Sequence, residues 1–178
     1  MTNPGRGRRS TVKAQDVFVG RRREMTQLDG ALDSALAGQG QVVMLSGDPG
    51  IGKTRIAQEL AAIADQRNAE VFWGHCYEGK GAPPYWPWLR IIRSCIDQSD
   101  AERLDAAMGS GAEAIGEIVP ELRSKLPDLK TPPTLDPDSA RFRLFDSITT
   151  YLKNACADRS LVLILEDLHW ADASSLAL

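Results

Sequence analysis

The stretch from Gln41 to Thr54, QVVMLSGDPGIGKT, decides the fold. Val42, Val43, Met44 and Leu45 form an apolar run of strand length, closed by the turn residues Ser46, Gly47, Asp48, Pro49 and Gly50. From Lys53 onward the pattern is helical. Between the two lies Gly47-x-x-x-x-Gly52-Lys53-Thr54, the spacing of a phosphate-binding loop in the strand–loop–helix setting that gives this motif its meaning. Gly47, Gly50 and Gly52 open backbone conformations closed to other residues, so successive N–H groups can turn inward on a polyphosphate. The helix starting near Lys53 points its positive dipole end at the same anion. Lys53 can reach β- and γ-phosphate oxygens, and the Thr54 hydroxyl can ligate Mg²⁺. Asp48, Pro49, Ile51 and Arg55 complete the loop expected to wrap the nucleotide.

Outward from this loop, length and composition set bounds. The chain has 178 residues, enough for one domain with a proper core. Hydrophobic and charged fractions are those of an ordinary globular protein. No apolar run approaches a membrane span, and the N-terminus carries no apolar signal core. Cys76, Cys95 and Cys156 are odd in number and contain no C-x-x-C pair, so the expectation is reduced cytoplasmic thiols rather than a disulfide framework or a zinc site. The net charge of −3 is uneven: residues 1–23 hold seven Lys/Arg and one Asp, which leaves −9 for the remainder. Residues 1–15 are polar and basic. A disordered, solvated leader is expected there in preference to a nucleic-acid-binding arm, because no aromatic is interleaved with Arg6, Arg8, Arg9 and Lys13.

Ahead of the loop, Phe18-Val19-Gly20-Arg21 leads into a helix with Met25, Leu28, Ala31/Leu32 and Ala35/Leu36 on one face. After it, Ile56, Leu60 and Ile63/Ala64 mark the helix that covers the sheet, and Glu70–Gly74 reads as a strand. Tyr85, Trp86 and Trp88 open an amphipathic helix continued by Leu89, Ile91, Ile92, Cys95 and Ile96. The aromatics are expected to form its buried seam. Three short helices follow, over Ala101–Met108, Ala112–Val119 and Glu121–Lys125. A Pro-rich connector then leads to a helix beginning near Ser139, capped by Asp138 or Ser139. Its expected stripe is Phe142, Phe145, Ile148/Thr149, Leu152 and Ala155/Cys156. Leu161–Leu165 reads as a strand buried on both faces. Glu166 and Asp167 follow it, at the strand end where α/β sheets place ligands, and a further helix is opened by Asp172 or Ser174.

Three of these segments carry a resemblance. FVGRRREMTQLDGAL is similar to the entry segment of Orc-like AAA and STAND-type P-loop ATPases. GHCYEGKGAPPYWPW and LEDLHWAD resemble segments of the ATPase regions of large LuxR-type transcriptional regulators and of cyclase-linked ATPases. The resemblance implies a three-layer α/β fold of the P-loop NTPase (ASCE) class with a parallel sheet. It spans residues 16–178 as the N-terminal part of an ATPase domain, with a helical insert at about 85–158. It places Val19, Gly20 and Arg21 near the adenine and makes Glu166 the Mg²⁺ position, usually Asp. Asp167 becomes the residue that polarises the attacking water, often Glu. Both departures imply slow hydrolysis of Mg-ATP, with bound nucleotide acting as a switch. In that fold a later strand lies between the loop strand and the Glu166 strand. The chain is therefore expected to be part of a longer protein, marginal or aggregation-prone alone, and to contact itself or C-terminal domains. No direct DNA binding and no membrane partner are expected. Alternatives are the same module beside a nucleotide cyclase or protein kinase, a small P-loop phosphotransferase, and a non-catalytic fragment.

Overall fold

A computed structural model of the chain describes residues 20–79, 81–157 and 159–178. The basic leader at 1–15 and Val19 lie outside the described residues. Eight helices and two strands appear among the described residues: α1 (Arg22–Leu36), α2 (Lys53–Gln66), β1 (Glu70–His75), α3 (Trp86–Gln98), α4 (Ala101–Met108), α5 (Ala112–Ile118), α6 (Leu122–Lys125), α7 (Pro137–Ala155), β2 (Leu161–Glu166) and α8 (Ala173–Ala177).

The core grows from α3. Leu89, Ile91, Ile92, Cys95 and Ile96 recur at helical spacing and are all buried, and Pro87 sits in the first turn, where its missing N–H leaves no bond unmade. Against this stripe pack Phe72 of β1, Leu104 and Met108 of α4, Ile115 of α5, and Ile148 and Tyr151 of α7. Each such aliphatic side chain, fully buried, contributes about 1.5–3 kcal/mol. Tyr85, Trp86 and Trp88 pack on the same cluster but are half-buried, where the sequence predicts a buried seam. The indole N–H of Trp88 donates to the Ser175 carbonyl at 2.9 Å, fastening α8 to α3.

β1 and β2 pair in parallel, from Glu70 opposite Leu161 to His75 opposite Glu166. Glu70 anchors the start of the ladder. It accepts from Arg103 of α4 at 3.0 and 3.3 Å and from Arg159, just ahead of β2, at 3.1 Å. The second layer is smaller. Leu32 of α1, Ala64 of α2 and Ala69 are buried together, with Val71 and Val162 of the strands packed on them. Arg67 holds Asp29 and Asp33 of α1 at 2.5 and 2.6 Å, tying α1 to the end of α2.

Four expectations need correction. Val42–Leu45 is not a strand: it has no ladder partner among the described residues, and Val42, Val43 and Met44 are 98, 51 and 78 % exposed. An apolar run is recognised as a strand by its side chains, but a strand exists only where a neighbour accepts its backbone bonds. β2 is half-buried throughout rather than covered on both faces, for the same reason. In α7 the buried stripe is Leu144, Ser147, Ile148 and Tyr151, while Phe142 is 76 % exposed. The faces of α4, α5 and the turn at 109–111 select that side. A side chain at Gly111 would meet Ser147 at 3.0 Å, so the close approach dictates small residues there. The same helix begins at Pro137 rather than near Ser139. Its cap is Asp136, whose carboxylate accepts from the Ser139 N–H at 3.1 Å; Pro137 pre-sets the first helical φ.

Asp172 caps α8 in the same way, accepting from the Ser174 and Ser175 N–H groups at 3.0 Å each and from the Ser175 hydroxyl. Burial pushes its carboxyl upward, but these donors outweigh that effect and hold it below the ordinary aspartate range. A depressed folded value stabilises the fold above the unfolded pKa of about 3.9, and the contribution fades as pH falls through the folded value. Asp172→Ala is expected to lower urea stability by about 1 kcal/mol at pH 7. The gap from the native chain should narrow below about pH 4.

Candidate nucleotide-binding site

Residues 47–54 form a loop whose turns rest on glycine. Gly50 and Gly52 have φ of 77° and 98°, and neither has a neighbour within 4 Å of a built Cβ, so conformation and not space requires glycine there. The Ile51 N–H donates to the Asp48 carbonyl at 3.3 Å. Gly52 is the N-cap of α2 and supplies no side-chain cap, so the first-turn N–H groups of the helix are left for another acceptor. No acidic residue stands in that turn. Amides, dipole and an adjacent ammonium therefore converge without a resident anion of the helix itself.

Lys53 folds back across the loop. Its Nζ donates to the Gly47 carbonyl at 2.8 Å and the Asp48 carbonyl at 3.1 Å. Thr54 is exposed beside it, and Arg55 pairs with Glu59 one turn on at 2.6 Å. Arg21, ahead of α1, reaches the loop from the other side. Its guanidinium donates to Glu24 at 2.8 Å and to the Ile51 carbonyl at 3.1 Å. Gly20 is exposed, with φ 94°.

The second half of the site lies at the carboxyl ends of the strands. The Glu166 side chain is 14 % exposed and meets His75 Nε2 at 2.9 Å, across the last rung of the ladder. The His75 ring stacks near Trp73, with centroids 6.0 Å apart. Asp167 is exposed and adopts the left-handed conformation, φ 57°, from which its carbonyl accepts the Trp170 N–H at 2.8 Å and opens a short turn at Leu168–Trp170. Cys76 is buried next to both acids. Its N–H donates to the Glu166 carbonyl at 3.0 Å, and burial, then the charges of Asp167 and Asp172, push its thiol up. It is a poor nucleophile at neutral pH.

α2 packs on the strands through its last turns. The end of α2, at Ile63 and Ala64, lies on Val71 and Val162, the second residue of each strand. The chain reverses over residues 67–69, so α2 runs back along the strands. Fourteen helical residues and six strand residues each span about 20 Å. The packing of Ile63 and Ala64 on the strands is the contact that relates α2 to the ladder.

Sequence reasoning did not single out His75 as the partner of Glu166. The usable signal is register: two parallel strands of equal length bring their last residues side by side. Among the described residues no cluster of three or more metal-binding side chains is assembled, and no helix is long and apolar enough to cross a membrane.

A family model described as an AAA ATPase domain matches residues 17–178. An uncharacterized protein of Rhizobium meliloti (strain 1021) is 24 % identical over 171 residues, covering 89 % of this chain and 16 % of the relative. The chain thus spans less than a fifth of that curated relative's length. No solved structure matches the chain.

Proposed function

The chain belongs to the AAA ATPase domain family, and from that premise we propose that it binds Mg-ATP and hydrolyses it slowly, as the nucleotide switch of a larger signal-responsive regulator. One observation carries the reading: the first turn of α2 has unspent amides, no acid of its own, and the ammonium of Lys53 at its mouth. Those features fit a triphosphate. The backbone of residues 47–52 and the amides of Lys53, Thr54 and Arg55 would hold its oxygens, and Lys53 would exchange two neutral carbonyls for the β- and γ-phosphates. Thr54 and Glu166 are the residues that would hold Mg²⁺, which when bound supplies positive charge to the phosphates.

Asp167 is the group proposed to orient the attacking water. Its carboxylate sits on a shorter arm than the glutamate common at that position, and poor placement of the water slows the step. The base would lie near Val19, Gly20 and Arg21. The resemblance to large LuxR-type regulators, together with the small share of the Rhizobium protein that the chain covers, supports a module working within a longer protein. There nucleotide state would be passed to other domains or to a second copy.

The test is an equilibrium titration with mant-ATP, with and without Mg²⁺, beside Lys53→Ala. Saturable binding that Lys53→Ala loses is the expected result. No binding, or equal binding by both chains, overturns the reading.

A further inference from the structure

We propose that Arg21 is a positioning residue that latches the phosphate loop to α1 through the Ile51 carbonyl, rather than a reader of the adenine. The inference rests on the phosphate-loop reading above. The Arg21 guanidinium is a rigid planar fork, and the structure spends it on two acceptors: Glu24 three residues on, at 2.8 Å, and Ile51 thirty residues on, at 3.1 Å. To reach both, Arg21 takes the left-handed conformation at the N-cap of α1, with φ 57°, which an L residue adopts at a cost.

Ile51 is the one non-glycine between Gly50 and Gly52, both at positive φ, so the peptide planes on either side of it are the least constrained in the loop. A trans peptide points its C=O and the following N–H in opposite directions. Drawing the Ile51 carbonyl toward Arg21 therefore aims the Gly52 N–H away from α1. That amide belongs to the set that cradles an anion. The segment leading into the loop, 42–45, has no ladder bonds among the described residues, so the brace from α1 takes on the work a paired strand would do.

The experiment compares native chain, Arg21→Ala, Arg21→Lys and Glu24→Gln. Affinities for Mg²⁺ complexes of ATP, GTP and inorganic tripolyphosphate are measured by displacement of mant-ATP. Amide hydrogen exchange of the peptide covering 47–55 is measured without ligand. Arg21→Ala is expected to weaken all three ligands by the same factor, about tenfold, and to speed exchange in the loop. Arg21→Lys should recover part of both, and Glu24→Gln, which leaves the Ile51 bond in place, should move either by less than about threefold. A loss for ATP with unchanged tripolyphosphate affinity would assign Arg21 to the base and overturn the latch. So would unchanged loop exchange in Arg21→Ala. If the native chain binds no triphosphate, the phosphate-loop reading fails, and the exchange data alone decide whether Arg21 holds the loop.

Discussion

Lys53→Ala is expected to weaken Mg-ATP binding by on the order of 30- to 100-fold while leaving the fold almost untouched. Nothing in the core depends on this side chain: its ammonium makes two exposed bonds to loop carbonyls. Losing them should change urea stability by less than about 1 kcal/mol. Binding is another matter, because phosphate brings a full negative charge to the ammonium, and a carbonyl acceptor offers only a dipole. The lysine is also held over the loop mouth before the ligand arrives, so little ordering remains to be done. Lys53→Arg should not restore affinity, since a broad planar fork does not fit where a point charge bridges two phosphates. Isothermal titration beside urea melts separates the two effects. A variant that loses stability and affinity together would show that the loop depends on the lysine for its shape.

Gly74→Ala is expected to cost about 3 kcal/mol, the upper end of overpacking penalties. A Cβ built at Gly74 lies 2.5 Å from the Pro87 carbonyl oxygen and 3.0 Å from the Pro87 carbonyl carbon and Leu165 Cδ2. Two of those three atoms are backbone and cannot turn aside. Here β1 and the first turn of α3 meet at the shortest approach permitted, so either the strand leaves the ladder or α3 shifts off its buried stripe. Gly30 supplies the control. It lies inside α1 with nothing within 4 Å of its built Cβ, so Gly30→Ala should stabilise the chain by about 0.5–1 kcal/mol. Opposite signs from one substitution type, read by circular dichroism in urea, would separate steric demand from helix propensity. Equal effects would mean that the β1–α3 contact yields.

How much of this was legible beforehand depends on whether the deciding partner is near in sequence. The loop at 47–54, the opening of α2 at Lys53 and the stripe of α3 are local patterns, and they stand where the residues imply. The three helices of the 101–125 region fall within a residue of expectation at each end because Gly109, Gly111 and Pro120 punctuate them. The failures are long-range. Val42–Leu45 has the side chains of a strand but no neighbour among the described residues. Phe142 has the hydrophobicity of a core residue, yet α4 and α5 choose the face of Leu144 and Tyr151. His75 meets Glu166 only through the pairing of β1 with β2, and no local spacing announces it. AAA family membership follows from residues 17–178 as a whole, and the loop motif pointed the same way.

The ladder between β1 and β2 has a further consequence, in the order of events as the chain folds. Glu70 and Leu161, its first rung, are separated by 91 positions along the chain, and everything from α3 to α7 lies between them. Closing so long a loop is entropically unfavourable until something else has shortened it. The contacts of α4 and α5 with α7 span shorter separations than the ladder's, so they close at a lower entropic cost. Collapse of α3, α4, α5 and α7 around Ile92 and Tyr151 would draw the two strand segments together, and Arg103 and Arg159 would then close on Glu70. The strand ends that carry His75 and Glu166 are thus expected to be among the last parts of the molecule to be assembled.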